Sequence, residues 1–553
     1  MFLNFCYYLK MPFSNRVNPK EYKGERHWGE VLADKVLEQF PDEEMYTCAA
    51  GISPSGTVHF GNFRDVITSY VVAQELIRRG KKARLLFSWD DFDRFRKVPA
   101  GIPESFAEHI GKPLSLIPDP ENALPSYARR FETPFEESLR EMDIETVYRY
   151  QNKEYADGAY DEHIISALKK RKEIAEILLS FMSEKGKSEK GIDPKKYVEE
   201  YYPISVYSRF SGTDNTRVLS YDGEHSITYK CFDTKKEETI DFTKERIVKL
   251  SWKIDWPMRW LFERVVFEPG GHDHASPGSS YDVSTVIVEK IFDRTPPVFA
   301  EYKFVGIQGT AGKMSGSKGN AVSPAQLLEI YEPELLKWLY MRKSPDQAFS
   351  LAFDTEIFRQ YDEYDKERES LAEGKLGGAE TRALEYATGK LEKKNMKPIP
   401  FRQAVAFGQI VQFDAEKLAD LLAKSDLDYD RDSIAVRLKK AKAWLEIYNP
   451  EQMIVVRENP NREYAATLAP ETRDYLKKLV EKLKNGISSV EELEKFIYAL
   501  PKDESLEQKE NALRQRAFFK DVYNLLISAD TGPRLSTFIS ALGTPRVIPL
   551  LEA

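Results

Sequence analysis

Hydrophobic positions change their period twice within the first hundred residues. Tyr46-Thr47-Cys48-Ala49-Ala50-Gly51-Ile52 is a largely apolar run of strand length, closed by the turn-forming Ser53-Pro54-Ser55-Gly56. From Gly61 onward Phe63, Val66, Ile67, Tyr70, Val71 and Ile77 follow the spacing of a helix face, and Arg78-Arg79-Gly80 supplies a basic last turn and a glycine stop. Ala83-Arg84-Leu85-Leu86-Phe87-Ser88-Trp89 is a second apolar run, ending at Asp90-Asp91. Strand, turn, helix and strand on short connections predict a βαβ unit, and with it a parallel sheet with a right-handed crossover.

Residues 101–191 carry a mostly helical pattern with a polar loop at Ser183–Gly191, and Tyr201–Phe242 mixes aromatic, Thr and turn residues in the manner of a partly β insertion. Apolar runs at Arg264–Phe267 and Val298–Ile307 predict that the sheet resumes afterwards. Beyond about Ser350 the pattern becomes amphipathic helices, clearest at Ile434–Ile447, Thr472–Leu483 and Asn511–Ile527. The expected architecture is α/β: a Rossmann-type parallel sheet over 25–200, an inserted segment over 201–245, the second half of the sheet domain over 246–350, and an all-α domain over 351–553.

Composition narrows the class. The 553 residues are 42% hydrophobic and 31% charged, too apolar for a disordered chain and too charged for a membrane bundle. Met1–Leu9 is apolar but lacks the basic flank and small-residue cleavage site of a signal peptide, and Met11 serves equally well as a start. Three cysteines, none in a C-x-x-C pair, exclude a disulfide scaffold and argue against structural zinc, which suits a reducing compartment such as the cytoplasm. A net charge of −8 disfavours a nucleic-acid partner only if basic residues are spread evenly rather than clustered on one face.

Two segments carry chemistry. Pro54-Ser55-Gly56-Thr57-Val58-His59-Phe60-Gly61-Asn62 joins a predicted strand to a helix. There the unpaired N–H groups of the helix start suit phosphate, and Gly56 and Gly61 admit a ligand close to the backbone. His59 can donate to phosphoryl oxygens there, although a turn with a chance histidine reads as well in isolation. The spacing matches neither a Walker A loop nor a dinucleotide fingerprint. The second segment, Gly309–Asn320, is rich in Gly and Ser and sets Lys313 and Lys318 five residues apart, as point charges for a polyphosphate; a solvated loop is the plain alternative.

Together the two segments resemble the HIGH and KMSKS signatures of class I aminoacyl-tRNA synthetases, in the expected order. His59-Phe60-Gly61-Asn62 stands for HIGH, with Asn62 in place of the second histidine. Lys313-Met314-Ser315-Gly316-Ser317 stands for KMSKS, with Gly316 in place of the fourth-position lysine and Lys318 one step beyond it. Further segments, Gly51–Gly56, Ser88–Pro99, Leu250–Trp260, Gly271–His274 with Gly278–Asp282, and Gly532–Leu535, resemble the class I lysyl-tRNA synthetases. The resemblance runs from about His27 to the end of the chain, and lysine specificity comes from it alone.

The resemblance implies ligation of L-lysine to tRNA(Lys) through a lysyl-adenylate, with release of AMP and pyrophosphate. It implies ATP binding by Pro54, Ser55, Gly56, His59, Gly61, Asn62, Asp273, His274 and Lys313–Lys318, with His59, Asn62, Lys313 and Lys318 acting on the phosphates. Gly51, Ser53, Trp252, His274 and Tyr302 would line the amino-acid site. Independently of the resemblance, Asp90, Asp91 and Asp93 end a predicted strand, where carboxylates suit ammonium groups; an N-cap with solvated acids before the next helix is the plain alternative. Mg²⁺ is expected with ATP. His272 and His274 could also face one way on a strand as metal ligands, but a closed zinc site needs four ligands. Some relatives resemble zinc-ribbon proteins in the insertion; with only Cys231 left there, no zinc is expected. The insertion would meet the tRNA acceptor end and the helical domain the anticodon, with Arg437, Lys439, Lys440, Lys442 and Trp444 as a basic, stacking cluster. A solvated basic face is the plain alternative. A monomer with no membrane contact is expected. The rivals are a small-molecule nucleotidyltransferase, a synthetase for another amino acid such as glutamate, and a non-catalytic tRNA-binding paralogue.

Overall fold

The computed structural model describes residues 15–189, 191–276, 278–308, 322–389, 397–423 and 429–552. Its described residues form two compact units. One runs to Leu328 and takes in Pro333–Leu351 and the stretch beginning at Ser370; the other holds Glu329–Glu332, Ala352–Glu369 and the C-terminal helices.

The first unit is built on a four-stranded parallel sheet. Strand β1 (Tyr46–Ile52) pairs along its full length with β2 (Ala83–Trp89), from Tyr46↔Ala83 to Ile52↔Trp89. Helix α1 (Phe60–Arg78) connects them, as the periodicity predicts. Its Phe63, Val66, Ile67 and Val71 are fully buried, whereas Ile77, in the last turn, is 45% exposed. Tyr46 and Cys48–Ala50 of β1 are buried, as expected of a parallel sheet covered on both faces. Strand β3 (Val147–Tyr150) adds to β2 inside a stretch that the sequence reads as helical; its Val-Tyr-Arg-Tyr is too short for a period to show. The predicted polar loop at Ser183–Gly191 contains a short helix, Glu184–Glu189.

The insertion is antiparallel. β4 (Ile204–Val206) pairs with β8 (Val248–Leu250), and β5 (Thr216–Tyr221), β6 (Ser226–Cys231) and β7 (Glu237–Asp241) form a meander. Helix α2 (Trp252–Phe262) follows, and β9 (Val265–Phe267) returns to β1, giving the order β3-β2-β1-β9. The predicted strand Val298–Ile307 is divided into short pieces. Val298 bridges Phe267, β11 (Glu301–Tyr302) pairs with β10 (Gly270–Gly271), and β12 (Val305–Ile307) pairs with β13 (Phe349–Leu351), all parallel.

The second unit is helical. Helix α3 (Arg431–Ala443) continues into a π turn at Trp444–Tyr448, and the predicted helices at Thr472–Leu483 and Asn511–Ile527 appear as Pro470–Lys484 and Gln508–Ile527. Their inward positions, among them Leu479, Leu483, Phe518 and Val522, share one apolar cluster with Leu493, Phe538 and Val547. Among the described residues no helix is long and apolar enough to cross a membrane.

Candidate active site

The carboxyl ends of β1 and β2 and the start of α1 open on one cleft. His59 is the N-cap of α1, and its Nδ1 accepts the Gly61 N–H at 3.1 Å. Asn62 Oδ1 accepts the His59 N–H at 3.1 Å, completing a capping box. A neutral imidazole that accepts on Nδ1 carries its proton on Nε2, so His59 is fixed as an Nε2 donor beside the helix's positive end. A Cβ at position 61 would lie 2.9 Å from that ring, so only glycine lets the imidazole rest there. Of the preceding turn, Pro54 is buried; the Ser55 N–H bonds the Ser53 carbonyl at 2.8 Å, and the Tyr127 hydroxyl holds the Ser55 carbonyl at 3.0 Å.

Lys313, Met314, Ser315, Gly316, Ser317 and Lys318 lie outside the described residues. The chain on either side of them is hydrogen-bonded to the first unit. The Gln308 N–H bonds the Leu351 carbonyl at 2.9 Å, next to β12, and the Val322 carbonyl accepts the Phe60 N–H of α1 at 2.9 Å.

On the other side of β1 the structure brings together Gly51, Tyr302, His274 and Trp252, four of the expected pocket residues, around two carboxylates that sequence reasoning missed. Asp65, on α1, accepts the Gly51 N–H at 3.3 Å and a hydrogen bond from the Tyr302 hydroxyl. Glu268, directly after β9, accepts the Trp260 indole N–H at 2.6 Å and a hydrogen bond from Trp256. Trp252 and Trp256 stack at 5.2 Å, and the His274 ring lies 5.6 Å from Trp256. Both carboxylates are half-buried. Burial lifts the Glu268 carboxyl to about 7, and burial with the like charge of Glu268 lifts Asp65 well above its ordinary range. Burial likewise lowers the His274 imidazole. The rule that ligands gather beyond strand ends, which drew attention to Asp90 and Asp91, also applies to Glu268. Asp65 is hidden in the sequence among the apolar positions of a helix.

Asp90 and Asp91 do not present free carboxylates to this cleft. Asp90 is held at 2.7 Å by Arg259 of α2, whose other guanidinium nitrogen holds Asp255 at 2.8 Å. Asp91 is buried and accepts the Asn152 N–H at 2.7 Å. Burial raises its carboxyl to about 7, and burial with the like charge of Asp91 raises that of fully buried Glu132 to about 8. Both aspartates fix the wall of the site, because strand ends here need partners for α2 and the chain after β3. His272-Asp273-His274 belongs to a short helix, His272–Ala275, not to a strand. His272 pairs with Glu301 at 3.1 Å, while His274 turns toward the indoles, so the two rings do not share a strand face. Among the described residues no group of three or more His, Cys, Asp or Glu could hold a metal ion.

The basic cluster of the helical unit also needs correction. Arg437 has no exposure; it bonds Glu332 at 2.7 Å, both oxygens of Asp365 at 2.6 Å and the Ile399 carbonyl at 2.7 Å. Trp444 is fully buried with its indole on the Phe353 carbonyl, and Lys440 is buried too. Arg437 and Lys440 are spaced three apart on the inward face of α3, so a basic run by sequence is split between core and surface. Lys439 and Lys442 are exposed.

The family model described as tRNA synthetases class I (K) matches residues 26–391. A lysine–tRNA ligase of Streptomyces coelicolor is 37% identical over 95% of this chain and 98% of its own length. Those of Thermococcus kodakarensis and Borreliella burgdorferi are 35% and 34% identical, over 95% and 94% of this chain and 99% and 98% of their own lengths. A parallel-sheet core with a capped imidazole at the start of α1 and near-full-length similarity agree: the chain belongs to the class I tRNA synthetases of the K type.

Proposed function

We propose that the protein ligates L-lysine to tRNA(Lys). The lysine carboxylate attacks the α-phosphorus of ATP, which enters with Mg²⁺, to give lysyl-adenylate and pyrophosphate; a terminal ribose hydroxyl of tRNA, the 2′-OH by class analogy, then takes the lysyl group and releases AMP. No covalent enzyme intermediate is needed, so positioning and electrostatics carry the rate. His59 Nε2 and the N–H groups opening α1 stabilise charge on the phosphates, with Pro54–Gly56 and Asn62 shaping the turn. Asp273 and His274 border the nucleotide, and Lys313 and Lys318, with Met314–Ser317 between them, serve the β and γ groups. Gly51, Ser53, Trp252 and Tyr302 border the amino acid.

The observation that carries this reading is the pairing of an anion-binding helix start with the half-buried carboxylates Asp65 and Glu268 across the end of β1. A cationic amino acid fits beside a polyphosphate in such a cleft, because a cation favours the ionised form of the two raised carboxyls, whereas a glutamate side chain does not. For tRNA, the insertion would meet the acceptor end, and exposed Lys439 and Lys442 of the helical unit would add phosphate contacts near the anticodon. Lysine-dependent exchange of pyrophosphate into ATP tests the first step. Exchange with lysine and not glutamate is the expected result, and exchange with glutamate alone would overturn the specificity.

A further inference from the structure

The insertion contains two segments, Ser208-Arg209-Phe210-Ser211 and Cys231-Phe232-Asp233-Thr234, that each place two short polar side chains three positions apart. Each segment lies on a chain reversal. The Ser208 N–H bonds the Thr213 carbonyl at 2.8 Å and the Gly212 N–H bonds the Ser208 carbonyl at 2.7 Å, while the Cys231 N–H bonds the Lys236 carbonyl at 2.9 Å. The reversals face one another: the Phe232 N–H reaches the Asn215 carbonyl at 3.0 Å, the Asn215 side chain donates to Asp233 at 2.6 Å, and the Thr213 hydroxyl also bonds Asp233. Between them, the Cys231 sulfur has no exposure and is hydrogen-bonded to the hydroxyls of Ser208, Ser211 and Thr234, with Ser211 Oγ at 3.6 Å.

Two turns, each with a pair of donors spaced x-x and converging on one point, have the layout of a C-x₂-C knuckle pair around a tetrahedral zinc ion. The donors present do not fit that ion. One thiol and three neutral hydroxyls lack the thiolates and imidazoles that make a closed zinc site. The ribbon has another source of stability, since Val218, Ile227, Tyr229 and Ile240 form a buried apolar floor beneath it. Zinc ribbons that lack such a core unfold without their metal.

We propose that positions 208, 211, 231 and 234 are a metal-knuckle scaffold in which a thiol–hydroxyl hydrogen-bond hub centred on Cys231 stands in place of the ion. The native insertion folds without metal, and cysteines at 208, 211 and 234 convert it into a four-thiolate site for a soft divalent cation. Binding there displaces the thiol protons, so affinity in the converted chain rises with pH.

The test uses the full-length chain carrying Ser208→Cys, Ser211→Cys and Thr234→Cys, titrated with cobalt(II) under reducing conditions. About one cobalt per chain is expected, with tetrahedral ligand-field and thiolate charge-transfer bands that zinc abolishes. The native chain should show neither band, carry no stoichiometric zinc as purified, and keep its unfolding midpoint in excess chelator. A native-like triple variant without thiolate–cobalt bands would overturn the proposal, as would stoichiometric zinc or chelator-sensitive unfolding in the native chain. If the triple variant does not fold, Ser211→Cys with Thr234→Cys supplies three thiols including Cys231. It should still give thiolate–cobalt bands, and their absence counts equally against the scaffold.

Discussion

At the strand ends of the first unit, Asp65 and Glu268 stand half-buried among Tyr302, Trp256 and Trp260, with N–H and O–H donors for partners and each other's like charge for company. On helix α3 of the second unit, Arg437 and Trp444 also bring charge and aromatic surface together, but Glu332 and Asp365 neutralise the guanidinium and the core encloses the indole. Residue type is therefore a poor guide to function in either place. A charge that the protein itself neutralises organises the fold, whereas one left half-buried beside neutral donors is available to a ligand of opposite sign.

The strongest way to break this contrast is Arg437→Ala. It should leave Glu332 and Asp365 facing an empty, buried position and cost about 3–5 kcal/mol of stability. Denaturant unfolding should show the loss. An effect on tRNA affinity with unchanged stability would reverse the assignment. Next is His59→Ala, expected to slow pyrophosphate exchange by roughly 10²–10³, as loss of one preorganised donor does. Binding of lysine alone should stay near native.

Glu268→Gln keeps the shape and removes the charge, so the lysine KM in exchange should rise about 10–100-fold, equivalent to about 1.4–2.8 kcal/mol, with the ATP KM little changed. The pH dependence follows from the same group. Its carboxyl is raised to about 7 in the unliganded protein, and a cation selects the ionised form. Lysine affinity should therefore rise from pH 6 to pH 8, about tenfold through Glu268 alone, and Glu268→Gln should reduce that rise. The smallest effect belongs to the exposed lysines. Lys439→Ala with Lys442→Ala should weaken tRNA binding a few-fold and reduce its salt dependence, without touching lysine activation.

Much of the fold can be read from local pattern. The apolar runs that became β1 and β2 are continuous because both sheet faces are covered, and α1 shows its inward face at 3.6-residue spacing. β3 escaped notice because four residues carry no period, and Val298–Ile307 looked like one strand although its pieces pair with four partners, Phe267, Arg16, β10 and β13. In the site, the strand-to-helix turn that carries His59 and Gly61 was legible from its turn residues, whereas the cap that His59 forms and the ring that rests against Gly61 were not. Whether a carboxylate is paired was not legible. Asp90 meets Arg259 across 169 positions of sequence, and Asp65 meets Tyr302 only once the sheet is assembled.

The most direct test of this account is calorimetric titration of lysine, without ATP, into the native chain and into the chain carrying Asp65→Asn and Glu268→Gln at pH 8. The account predicts that the double variant stays folded and loses at least about 100-fold in lysine affinity. Equal affinity in the two proteins would contradict it, and would mean that lysine is held by groups other than these two carboxylates.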